Sequence, residues 1–150
     1  MIEVDYHVPI RRSPTDVFDY VTDVERIPEW QHKAGVKKVT KQSPGPLAVG
    51  STFTMERQAQ RGLATIQAEV TALEPGRRFD FHTVDNDGFV GDFATTLTAQ
   101  GDDTDLHWTV RMQPPNLLYR LLTPVIARTI RSSAETDFVE LRRQLEASQG

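Results

Sequence analysis

Groups able to move protons, ligate metals or attack carbon are few in this 150-residue sequence: four histidines and no cysteine. Without thiols there are no disulfides, thiolate zinc sites or cysteine nucleophiles, and the redox compartment stays open. His7, His82 and His107 fall on the outward parity of strand-like stretches, and His32 follows Trp30 in a loop. Their spacing predicts no two histidines on one face at ligating distance, so no metal site is expected. Asp85-Asn86-Asp87-Gly88 is similar to the start of a calcium loop, but Thr83 stands where an acid is needed and no glutamate takes the twelfth place. It reads as a turn. A glycine-rich phosphate loop, a dinucleotide fingerprint and a serine elbow are all missing, so no cofactor is expected.

One acid has an unusual address. On a helical wheel started at Ile130, Asp137 lies between Ile126 and Leu141, inside the apolar stripe. A carboxylate there must find a partner or take up a proton, because burying it alone is very unfavourable. Arg57 shares strand parity with Phe53 and Met55, while Tyr6, Thr83 and Trp108 occupy apolar rows. One expectation is therefore Asp137 inside a cavity, partnered by Arg57 or a hydroxyl; the other is Asp137 over an open end of the sheet, solvated or paired with a rim arginine.

These residues need elements to hold them. Ile2, Val4, Tyr6, Val8 and Ile10 alternate with Glu3, Asp5 and His7, the period of a strand with one buried face. Ser13-Pro14-Thr15-Asp16 supplies a cap, a proline preset for the first helical position and an acid to bond back to the cap. A first short helix follows through Val17, Phe18 and Val21. Asp23 opens a second, which ends near Pro28-Glu29-Trp30. From Gly35 to Met112 six more strands are predicted, with inward rows at Val36 and Val39; Phe53, Met55 and Arg57; Ile66, Ala68, Val70 and Ala72; Phe79, Phe81 and Thr83; Phe89, Gly91, Phe93, Thr95 and Leu97; and Leu106, Trp108, Val110 and Met112. Short turns between them imply an antiparallel meander. Pro114-Pro115 ends the sheet, Asn116 caps a leucine-rich turn, and a helix runs from about Pro124 to Ala147. Ile126, Ala134, Phe138, Leu141 and Leu145 lie within an arc of about 120° around Ile130 on that helix.

The fold class expected is α+β: a seven-stranded curved antiparallel sheet with two short helices after strand one, wrapped around a long C-terminal helix. The chain resembles the START-like polyketide cyclase/dehydrase superfamily, the helix-grip fold. That resemblance rests on Ser13-Pro14 with Val17-Phe18 and Val21, on Pro28-Glu29-Trp30, on Gly50 with Phe53, and on Glu69-Val70 leading to Glu74-Pro75-Gly76 and Phe79, and it runs on through Leu97 and Leu106 to Leu145. It implies a deep cavity between sheet and helix, used in the family for lipids, polyketides, plant hormones and similar apolar molecules. The matching residues are caps, turns and core positions, so they speak for fold more than for activity.

Small residues at Ala68, Ala72, Gly91, Thr95 and Ala134 interrupt the bulky inner rows, which predicts space for a ligand. The candidate binding residues are Tyr6, Trp30, Phe53, Met55, Arg57, Ala68, Phe81, Thr83, Phe93, Trp108, Ile130, Ala134 and Asp137. The expected function is binding of a small, largely hydrophobic, lipid- or polyketide-like molecule. An enzyme of the polyketide cyclase, aromatase or dehydratase type is the alternative, with Asp137 as catalytic acid or base and Arg57 or Tyr6 holding an enolate oxygen. A third reading, a protein-interaction module, needs an exposed apolar patch, and the outer strand rows offer little sign of one. Seventeen basic against twenty-one acidic residues, net −4, give no field for nucleic acid. The N-terminus lacks a secretory pattern and no stretch is long enough to span a bilayer, so a cytoplasmic single domain, monomer or homodimer, is expected.

Overall fold

A computed structural model describes residues 1–59 and 62–147. Among them β1 (Ile2–Ile10) leads to α1 (Pro14–Val21) and a 3-10 helix (Val24–Glu29). Then come β2 (Val36–Lys41), β3 (Thr52–Ala59), β4 (Gly62–Glu74), β5 (Arg78–Asp85), β6 (Val90–Gln100), β7 (Asp103–Gln113), α2 (Leu117–Leu121) and α3 (Thr123–Ala147). The strands form one antiparallel sheet in the order β1-β7-β6-β5-β4-β3-β2, so β2 to β7 meander and the first strand closes onto the last.

Local chemistry sets the helix starts. The Ser13 hydroxyl accepts from Asp16 N–H at 3.2 Å, and Asn116 Oδ1 accepts from Tyr119 N–H at 3.0 Å. Two details differ from expectation. The Asp16 carboxylate accepts from Arg12 Nε at 3.1 Å instead of closing a capping box, and Asp23 makes no side-chain cap, in keeping with a 3-10 turn that contains Pro28.

The sheet is bent until both of its edges meet one helix. On the β1 edge, Arg131 Nη1 of α3 donates to the Asp5 carbonyl at 2.7 Å, and Phe138 stacks on Tyr6 with centroids 5.8 Å apart. On the far side, Asp137 reaches the loop that enters β2, the opposite edge strand. Register shifts at Val36/Lys38 and at Val70/Ala72 supply bulges, which sharpen such a bend.

The registers align the inner side chains into rows that cross the strands. One runs Ile2, Met112, Gly91, Thr83, Ala68 and Phe53; the next runs Val4, Val110, Phe93, Phe81 and Val70; a third runs Tyr6, Trp108, Thr95, Phe79 and Leu73. From its middle onward α3 covers them with Ala134, Phe138, Leu141 and Leu145, all buried. In its first half, Ile126 and Ile130 are only half-buried.

Candidate functional site

The predicted residues separate into a sealed group and an accessible one. Phe53, Met55, Ala68, Ala134 and Trp30 are buried in the core, as is Thr83. Tyr6, Arg57, Phe81, Phe93, Trp108 and Ile130 face inward yet stay half-buried, as do Ile66, Thr95, Met112 and Ile126. The accessible group spans Tyr6 of β1, Arg57 of β3, Ile66 of β4, inner positions of β5, β6 and β7, and Ile126 and Ile130 in the first half of α3.

Aromatic rings connect the two groups. Phe53 meets Phe81 edge-on at 5.4 Å, Phe81 stacks on Phe93 at 5.1 Å, and Phe93 lies 6.2 Å from Trp108. Phe138 closes the series, 5.4 Å from both Trp108 and Trp30. Two polar groups belong to this interior. Trp30 Nε1–H is buried without a hydrogen-bond partner among the described residues, and an indole donor usually finds one when buried. The Thr83 hydroxyl has only a long contact, 3.5 Å, to the Gly91 carbonyl.

At Gly91 the small residue does not create the space that the sequence pattern assigns to it. A Cβ on Gly91 would stand 3.2 Å from Thr83 Oγ1, 3.3 Å from Phe93 Cε2 and 3.5 Å from Met112 Cε, so neighbours already fill the position. Gly91 therefore admits the flanking side chains and does not leave a hole.

Asp137 is buried, 3% exposed, which sets aside the expectation of a solvated carboxylate over an open end of the sheet. Its partners are neither Arg57 nor a hydroxyl. One carboxylate oxygen accepts from Lys33 N–H at 2.8 Å and the other from Ala34 N–H at 3.0 Å. Arg57 Nε holds the same loop from the other side by donating to the Ala34 carbonyl at 2.8 Å. Burial pushes the Asp137 carboxyl above the usual carboxylate range, while the two N–H donors and the nearby His32 and Lys33 pull it back. His32 is exposed, with Nε2 2.9 Å from the Glu29 carbonyl.

The histidine spacing expected from the sequence is corrected by the register. His7 and His107 are directly opposed on β1 and β7, with ring centroids 4.0 Å apart. Parity alone places both on the outer face; only the pairing of the first strand with the last makes them neighbours. Two open grooves lie among the described residues, and each reaches inward-facing positions, Val4 and Val110 in one and Leu97 in the other. One, about 750 Å³, runs along the β1 edge between Glu3, Asp5, Arg111, Arg128 and Arg131; the other, about 530 Å³, lies among Pro14, Gly76, Arg78 and Thr96. No helix among the described residues is long and apolar enough to cross a membrane.

A bent antiparallel sheet gripping one long helix, with aromatic rows turned inward, defines the START-like helix-grip class. Residues 1–146 match the model of the family described as polyketide cyclase / dehydrase and lipid transport, and the chain belongs to that family. A protein from Thermus thermophilus has the same fold at 14% identity and TM-score 0.80, covering 99% of each chain. A START superfamily protein from Mycobacterium smegmatis aligns at 16% identity and TM-score 0.75 over 98% of this chain and 99% of its own. DynU16, from the dynemicin biosynthetic locus, aligns at 18% identity and TM-score 0.72 over 99% of this chain and 48% of that longer one. At such identities the likeness is one of fold. None of the curated proteins matches the sequence.

Proposed function

We propose that the protein binds a small, largely hydrophobic molecule, lipid- or polyketide-like, between the inner rows of β5, β6 and β7 and the first half of α3. One observation carries this reading: Phe81, Phe93, Trp108 and Ile130 face the interior of the fold and still keep accessible surface. A packed core leaves few voids larger than a water molecule, so an inward aromatic row that is not sealed is a row with room beside it. Apolar contact supplies the affinity, about 25 cal/mol per Å² buried. With both its oxygens engaged by backbone N–H groups, Asp137 positions the loop and does not shuttle protons in this reading.

Native mass spectrometry of freshly purified protein and titration with a fluorescent fatty acid test it. Ile130→Trp should weaken the fatty acid about tenfold, equivalent to 1.4 kcal/mol, and Val139→Trp on the exposed face should not. Equal affinity in the two variants, or no bound molecule and no titration, overturns the proposal.

A further inference from the structure

We propose that the outer face of the β1–β7 pair carries a site for a borderline divalent transition-metal ion, zinc above all, ligated by Asp5, His7 and His107. Strand geometry brings the three together. Residues two apart on a strand share a face, which puts Asp5 beside His7, and the register sets His107 opposite His7 on β7. One ligating atom from each of the three lies within 4.8 Å of the others. Asp5 Oδ1 is 2.9 Å from His107 Nε2 and 3.8 Å from His7 Nε2. A tetrahedral zinc with bonds of roughly 2.0 to 2.1 Å holds its donors about 3.3 Å apart, so these separations bracket the requirement. The imidazoles stand parallel within 4°, and coordination asks them to splay until their lone pairs converge.

A fourth residue gives the cluster the anatomy of a ligand set. Asp105 Oδ2 lies 3.0 Å from His7 Nδ1 on the side away from Asp5. A carboxylate that accepts a hydrogen bond from Nδ1–H holds the tautomer whose Nε2 lone pair is free to ligate, the arrangement found behind metal-bound histidines. The backbone under the site is fixed, since Asp5 pairs with Thr109 and its carbonyl accepts from Arg131 at 2.7 Å. Two imidazoles and one carboxylate suit zinc, copper or nickel and do not suit magnesium or calcium, which prefer all-oxygen shells. Water completes the coordination, because Asp5 and His7 are 65% and 56% exposed. The site is therefore open and exchangeable, and the fold does not depend on it.

Calorimetric titration of the full chain with zinc, together with imidazole nitrogen chemical shifts, tests the proposal. One zinc per chain is expected, with His7 and His107 Nε2 shifting. Asp5→Asn, His7→Gln and His107→Gln should each weaken binding at least tenfold, and Asp105→Asn, acting through His7, by roughly 10- to 100-fold. His82→Gln is the control, because His82 is exposed on the same face and paired with Asp92 at 2.8 Å; it should leave the affinity unchanged. Melting curves in chelator verify that each variant is folded. Magnesium should not compete. No saturation at millimolar zinc overturns the proposal, and so does an equal loss in His82→Gln and His107→Gln.

Discussion

Asp137 joins α3 to a loop 104 residues earlier in the chain, and it does so with charge-assisted bonds to two backbone N–H groups. Hydrogen bonds to a charged group contribute roughly 1.5 to 3 kcal/mol each, and a buried donor left unpaired costs a similar amount. Asp137→Asn turns one oxygen into an NH2 facing an N–H, so urea denaturation should show a loss of about 1 to 3 kcal/mol. A loss below about 0.5 kcal/mol would place Asp137 among ordinary surface positions. Acid should enlarge that deficit. Burial raises the folded-state carboxyl above its unfolded value, so the native state binds the proton first as pH falls. The stability from that uptake is fully present below the unfolded value and is lost as pH rises through the folded one. The gap between wild type and Asp137→Asn should therefore be wider at pH near 3 than at pH 7; a narrower gap in acid would mean that the N–H bonds outweigh burial. The helical wheel made the place of Asp137 in the apolar stripe legible in the sequence, and left its burial open. Its partners were not legible, because they are main-chain groups of a distant loop and side-chain patterns carry no trace of them.

The two halves of α3 differ in how they are held. Gln144 Nε2 donates to the Glu29 carbonyl at 2.7 Å, Arg12 donates to the Leu145 carbonyl at 2.6 Å, and Tyr20 bonds Gln144, so the second half is fastened to α1 and the 3-10 helix. The first half and α2 carry Leu117, Leu118, Leu121 and Val125 in the open, between 56% and 71% exposed. Few buried contacts mean low local stability, so amide exchange should be faster from Leu117 to Arg131 than from Ala134 to Leu145. Uniform protection along α3 would contradict this. Leu121→Ser should change the melting stability by no more than about 0.5 kcal/mol, since its side chain has almost nothing to lose. Strand periods, the Ser13 and Asn116 caps and the extent of α3 were legible because each is a local pattern, except where the bulge after Val70 turns Leu73 inward in place of the expected Ala72. The bare leucines of α2 were not, because periodicity marks residues as apolar without saying what covers them, and the outer strand rows hold no hint of a patch that lies on a helix.

Taken as one body, the molecule sets a sealed core against α1, the 3-10 helix and the later turns of α3, beside a half-buried aromatic row at Phe81, Phe93 and Trp108. Gly91 is not what opens it: it is hemmed in by Thr83, Phe93 and Met112, whereas large residues such as Phe93 and Trp108 keep surface uncovered. Side-chain volume along the sequence could not show this, since which rows α3 covers depends on how far the sheet bends and where the helix is fastened. Linkage gives the proposed site a thermodynamic signature. A ligand that binds only the native state stabilises it by RT ln(1 + [L]/Kd), about 2.7 kcal/mol at one hundred times Kd. For a chain of this size each kcal/mol moves the melting temperature by roughly 2 to 4 °C, so saturating fatty acid should raise it by several degrees. The increment should grow with acyl length while methylenes still reach apolar wall, at up to about 0.8 kcal/mol for each one buried, and stop where the row ends. Ile130→Trp occupies the same volume and should shorten the chain length at which the increment saturates. A melting temperature indifferent to acyl length would mean that the aromatic row meets solvent and nothing else.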